Sequence, residues 1–232
     1  MLYIFISQYD NYWENVDKIK SHNMSGVKQI YVEDYLNSPI NFSKEDIVYF
    51  LTNTLLIKEV INKINNQCVV INRGYYLNNL TDKYSIQQKL YNNKIMVPQL
   101  LSADSLNRYS FPIMCKSKSH ANFIIAIFTL STFTDIMLKY NVGDFYLERF
   151  IKCTRELKAY FVKDKTFLYD NENNFKYFKE LNETLRKIGN LLNLEVFSVD
   201  ILLTENAFYV IDVNPAAGLF NSKDSRQYFV EW

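Results

Sequence analysis

Apolar residues follow two rhythms along this chain. In the first 72 residues, short apolar runs alternate with stretches whose apolar positions return every three or four residues. Residues 2–7, 27–32, 46–51 and 68–71 carry the runs expected of strands, and 15–22 and 55–64 the spacing expected of helices. Strand and helix in turn predict a small parallel α/β lobe. From Asn72 the character changes. Residues 82–92 carry helical spacing, with Ile86 and Leu90 four apart, and end before Val97-Pro98. Strands are expected at 111–116, 122–128, 145–151 and 156–162, and a helix at 133–140. Phe175, Phe178, Leu181, Leu185, Ile188 and Leu192 mark an amphipathic helix. Residues 196–203 and 208–213 then predict a hairpin about a turn at Glu205-Asn206-Ala207.

Composition narrows the classes. The 232 residues suit one large domain or a few small lobes, and 48% hydrophobic residues with 22% charged is a globular balance. Lys and Arg number 26 against 25 Asp and Glu, a net charge of +1, so no basic field is present to hold nucleic acid. Only five glycines occur, none near another, which excludes a Walker A loop, a GxGxxG turn and a GxSxG elbow. His22 and His120 are too far apart for HExxH chemistry. Cys68, Cys115 and Cys153 are odd in number without CxxC spacing, so a reduced, cytoplasmic chain is expected. The longest apolar stretch, 123–130, is too short to cross a bilayer, and residues 1–6 lack a basic n-region and a long enough apolar core, so no signal peptide is expected. No membrane partner is expected.

The hairpin carries the strongest chemical signal. With a three-residue turn Thr204 faces Phe208, Asp200 faces Asp212, and Asn214 follows on the same face. A four-residue turn would put the two aspartates on opposite faces. Asp is depleted within strands, and like charges directly opposite are destabilising. Two carboxylates and an amide oxygen on one spot make sense around a hard cation such as Mg²⁺. The same residues also suit a strand that simply ends before Pro215, with Asp200 a satisfied core polar group.

Two lysines stand in costly places. Lys83 lies in the first turn of a helix, where the macrodipole disfavours a cation, and Lys116 ends an apolar strand. Phosphate oxygens would suit both; taken singly, each is better described as a solvated surface lysine. A third element, Tyr146-Leu147-Glu148-Arg149-Phe150-Ile151 with Arg155-Glu156-Leu157 after it, offers backbone groups to a purine edge and a carboxylate to ribose hydroxyls. Many edge strands share that pattern.

In this order, Asn72, Thr81-Asp82-Lys83, Ile95-Met96-Val97-Pro98, Phe111-Pro112-Ile113-Met114-Cys115-Lys116, the 146–151 segment, Arg155-Glu156-Leu157 and the pair Val199-Asp200 and Ile211-Asp212-Val213-Asn214-Pro215 form a series. The series resembles the ATP-grasp superfamily over about residues 72–220, above all its RimK-like and glutathione-synthetase-like branches. The resemblance implies an α/β (α+β) fold: a small N-terminal α/β lobe (1–75), then two α+β lobes (76–145 and 146–232) whose antiparallel sheets sandwich ATP. It implies that Lys83 and Lys116 contact ATP phosphates. Glu148, Arg149, Phe150 and Ile151 would hold adenine, and Glu156 the ribose. Asp200, Asp212 and Asn214 would bind Mg²⁺, or Mn²⁺ in its place, with Asp212 bridging two ions. The implied activity is carboxylate–amine ligation through an acylphosphate on an amino acid or peptide.

Four departures shape that expectation. The loop after Lys116 reads Ser117-Lys118-Ser119-His120-Ala121-Asn122, without the family's glycines, so Ser119 and His120 would meet phosphate through side chains. Lys158 stands where an arginine is usual, and would serve as a catalytic cation beside Lys116 without the bidentate fork. The stretch 164–177 is short for a substrate-binding segment, and Asp212 is one methylene shorter than the usual glutamate. A Ser/His loop is similar to that of the superfamily's inositol-phosphate kinases. A small-molecule kinase and a non-catalytic nucleotide-binding protein are therefore the alternative functions. The aromatic-rich composition leaves room for a homo-oligomer.

Overall fold

The computed structural model describes residues 1–9, 26–78, 82–107, 110–118, 124–169, 175–218 and 223–231. The expected helix at 15–22 lies outside them. In chain order the elements are β1 (Leu2–Ile6), β2 (Val27–Tyr31), α1 (Val32–Asn37), β3 (Ile47–Phe50), α2 (Ile57–Ile64), β4 (Val69–Val70), α3 (Arg73–Leu77), α4 (Lys83–Asn92) and β5 (Leu100–Leu101). Then follow β6 (Ile113–Ser117), β7 (Ile124–Ile127), α5 (Leu130–Lys139), β8 (Phe145–Arg149), β9 (Arg155–Val162), β10 (Lys165–Leu168), α6 (Phe178–Leu192), β11 (Val196–Leu203), β12 (Phe208–Asn214) and α7 (Lys223–Glu231). No described helix is long and apolar enough to cross a membrane.

The chain divides into two compact units: residues 1–79, 158–198 and 214–232 in one, 80–157 and 199–213 in the other. The first holds a parallel sheet in the order β2-β1-β3-β4. Its central strands read Leu-Tyr-Ile-Phe-Ile and Ile-Val-Tyr-Phe and are almost wholly buried, as a parallel sheet covered on both faces requires. Helix α2 turns Ile57, Val60, Ile61 and Ile64 inward at three- and four-residue steps. Ile4, Ile6, Tyr49, Leu51, Ile71, Tyr160, Val162, Val196, Ala217 and Phe229 form one core of this unit.

The second unit has its own core, with Ile113, Cys115, Ile127, Phe133, Ile136, Phe145 and Leu147. They come from an antiparallel sheet, β5-β8-β6-β7, and from α5 packed on it. Alternation explains the choice: in β6, Ile113 and Cys115 are buried on one face. A third sheet has the order β10-β9-β11-β12.

The turn between β11 and β12 corrects one expectation. Thr204 N–H donates to the Ala207 carbonyl at 2.8 Å, so Glu205 and Asn206 alone form the loop and Thr204 does not face Phe208. The Thr204 hydroxyl is the reason. It accepts from Ala207 N–H and donates to the Ala207 carbonyl, both at 3.0 Å, drawing Ala207 into the pairing. Carried on without a break, this register would set Asp200 opposite Ile211 and turn Asp212 to the other face. Strict alternation does not hold there: between buried Val210 and Val213, both Ile211 and Asp212 are half-buried, and both line the same cavity as Asp200.

Candidate functional site

Helix α4 begins the site. Asp82 caps it, accepting from Tyr84 N–H and Ser85 N–H at 3.1 Å each, and so places a carboxylate where the helix dipole favours an anion. Lys83 is the next residue. Its backbone N–H donates to the Lys118 carbonyl at 3.0 Å, joining the start of α4 to the end of β6. Its Nζ lies 3.1 Å from Asp212 Oδ2, with both side chains partly exposed.

Lys116, near the end of β6, is buried. Its Nζ lies 2.7 Å from Glu148 Oε2 and donates to the Ile211 carbonyl at 3.1 Å. Glu148 comes from β8, directly bonded to β6, and is 1% exposed. A carboxylate so deep needs both a counter-charge and hydrogen bonds. Lys116 supplies the first, and Gln87 Nε2 supplies a bond to Oε1 at 3.0 Å. Tyr146, two residues before Glu148, has its phenol pKa raised by burial first, then by the negative charges of Glu148, Asp212 and Asp82. Burial pushes the Cys115 thiol up to about 12, so it stays protonated.

These side chains border a cavity of about 570 Å³, within the size range of small-molecule and cofactor sites, and every residue lining it belongs to the unit of 80–157 and 199–213. Lys83, Lys116, Glu148, Arg149, Phe150, Ile151, Glu156, Asp200 and Asp212, all singled out in the sequence, lie along its wall. Pro98, Met114, Ile124, Leu202 and Ile211 add an apolar lining. Asn214 is not part of that lining. Its Oδ1 accepts from Ala216 N–H at 3.0 Å, which is what an asparagine ending a strand before proline does. Lys158 is likewise outside the lining and half-buried on β9. Ser119 and His120 lie outside the described residues.

Among the described residues no three His, Cys, Asp or Glu side chains cluster as a metal centre. The oxygen donors on the cavity wall nevertheless fit Mg²⁺, which takes one or two carboxylates and fills its other positions with water and phosphate oxygens. Gln87 is the contributor that the sequence reasoning passed over. A signal was there: it lies one turn after Lys83, between Ile86 and Leu90, a polar residue on the apolar side of its helix.

The sequence matches no protein-family model and no curated protein. Its fold does have solved counterparts. D-alanine–D-alanine ligase from Bacillus anthracis superposes with a TM-score of 0.72 at 13% identity, covering 99% of this chain and 93% of that one. ATP-grasp ligase PsnB, solved with precursor peptide PsnA2 and AMPPNP, gives 0.66 at 11% identity over 93% of this chain and 88% of its own. N5-carboxyaminoimidazole ribonucleotide synthetase from Thermotoga maritima gives 0.63 at 16% identity over 92% and 67%. The chain has the fold of the ATP-grasp ligases.

Proposed function

We propose that this chain is an ATP- and Mg²⁺-dependent carboxylate–amine ligase, of the RimK-like and glutathione-synthetase-like kind, acting on an amino acid or peptide. One observation carries the proposal: two lysines and two aspartates from four separate stretches of chain border a single cavity. Glu148, Arg149, Phe150, Ile151 and Glu156 line the same cavity. The similarity to a D-alanine–D-alanine ligase and to a ligase solved with a precursor peptide supports the same reaction class.

In that reading Lys83 and Lys116 hold the phosphates, the backbone of 148–151 holds adenine and Glu156 holds the ribose. Asp200 and Asp212, with the second lone pair of Asn214 Oδ1, would hold the metal. Mg²⁺ so bound would supply positive charge at the phosphate oxygens. A substrate carboxylate oxygen attacks the γ-phosphorus, and ADP departs with the electron pair of the broken bond. An amine then attacks the acylphosphate carbon, inorganic phosphate leaves, and the proton lost from nitrogen passes to solvent. The lysines act by charge neutralisation, since a transferring phosphoryl group has little covalent need of the protein. Lys158 adds a cation for the substrate, and the lobe bounds 1–75, 76–145 and 146–232 belong to the same proposal.

Thermal denaturation with Mg-ATP tests the metal and nucleotide assignment. Mg-ATP should raise the midpoint of the wild type and leave Asp212→Ala nearly unmoved. Equal shifts in both would remove Asp212 from the site. ADP and free phosphate released together, only when a carboxylate and an amine are both supplied, identify ligation; ADP without free phosphate identifies a kinase.

A further inference from the structure

Gln87 is 3% exposed, yet its amide nitrogen has three oxygens within reach. Nε2 lies 3.0 Å from Glu148 Oε1, 3.3 Å from the Val210 carbonyl and 3.5 Å from the Ile211 carbonyl. All three are acceptors, so the amide has one orientation that works: turned over, its oxygen would face a carboxylate and two carbonyls. The contacts reach the strand that carries Glu148 and the strand that carries Asp212, from the helix that carries Lys83.

We propose that Gln87 is a positioning residue, which through Glu148 holds the Lys116 ammonium at the place where nucleotide phosphate binds. The inference rests on the ATP-binding reading above and deepens it. Lys116 Nζ is held between Glu148 Oε2 at 2.7 Å and the Ile211 carbonyl at 3.1 Å. Gln87 bonds to the other oxygen of that carboxylate and lies beside that same carbonyl. It therefore fixes both anchors of the ammonium without adding charge. Glutamate at 87 would set a second carboxylate against Glu148. Lysine there would compete with Lys116 for it. The neutral amide donor leaves the positive charge of Lys116 facing the cavity, available to a phosphate.

Binding of ATP and of adenosine, measured by calorimetry on the full chain, tests this. Gln87→Met keeps the volume and removes the donor; Gln87→Glu keeps the shape and reverses the electrostatics. Both should weaken ATP by about tenfold or more, the size of a lost hydrogen bond to a charged group, and leave adenosine within about twofold. In a Lys116→Met background, Gln87→Met should have no further effect on ATP, because the two residues act through one contact. Equal weakening of ATP and adenosine, an undiminished effect in the Lys116→Met background, or unfolding of both variants would assign Gln87 to structure alone and overturn the proposal. A wild type that binds no ATP would refute the ATP-binding reading itself. A wild type that binds ATP as tightly as Gln87→Met would refute only the role of Gln87.

Discussion

Gly189 has no space for a methyl group. A Cβ built there would sit 2.8 Å from the Leu194 carbonyl oxygen, a backbone atom that cannot swing away. The crowding comes from the end of α6, where Asn193 adopts a left-handed conformation with φ of 56° and Leu194 N–H returns to the Gly189 carbonyl at 2.8 Å. On helix propensity alone, Gly189→Ala would gain about 1 kcal/mol. Overpacking outweighs that here, and a net loss of about 1–2 kcal/mol is expected, read as a lower urea midpoint at unchanged slope. A higher midpoint would show that the turn after α6 relaxes freely. Residue type alone leaves this hidden, since a glycine inside a helical pattern gives no sign of what lies over it.

Elements were legible in proportion to their length and periodicity. Helix α6 and helix α4 follow from repeated apolar steps, and the buried strands from dense branched and aromatic runs. Helices α1, α3 and α7 and strands β5 and β10 were not foreseen. α1 and α3 span only six and five residues, too short for a period to establish itself, and tertiary packing decides them. At α4 the element and the site coincide, because its cap precedes Lys83 directly. Asp82→Ala leaves Tyr84 N–H and Ser85 N–H without their acceptor and should cost about 0.5–2 kcal/mol of stability. It should also weaken ATP binding, since Lys83 and Gln87 both depend on how this helix begins. Calorimetry beside denaturant unfolding would separate the two effects; a loss of stability with ATP affinity unchanged would detach the cap from the site.

At the scale of the whole molecule, one side chain ties together segments far apart in the chain. Asn72, itself left-handed with φ of 59°, accepts from Glu195 N–H at 2.7 Å and Val196 N–H at 3.0 Å. Its amide donates to the Val196 carbonyl and, at 3.0 Å, to the Pro215 carbonyl. The three stretches that make up the first unit, 1–79, 158–198 and 214–232, therefore meet at one buried amide. Asn72→Ala strands several backbone groups away from water and should cost roughly 2–4 kcal/mol, among the larger effects of any single substitution here. A midpoint within the error of the wild type would mean that water replaces the amide. Long-range pairing of this kind is also why the sequence could mark Asn72 as a change of character without saying what it does there.

The sequence by itself determined the element types with strong periodicity, the parallel α/β start of the chain, and the order in which the lysines, the 146–151 segment and the aspartates succeed one another. Those depend on spacing along a strand or helix, which is fixed by backbone geometry. Only the tertiary structure decided that Asp200 and Asp212 share a cavity wall despite a two-residue turn, that Asn214 caps its own strand end, and that Gln87 stands behind Glu148 and Lys116. A local break in strand alternation brings neighbouring side chains to one wall, and a buried polar group takes its partners from remote strands. Neither leaves a periodic trace in the order of residues.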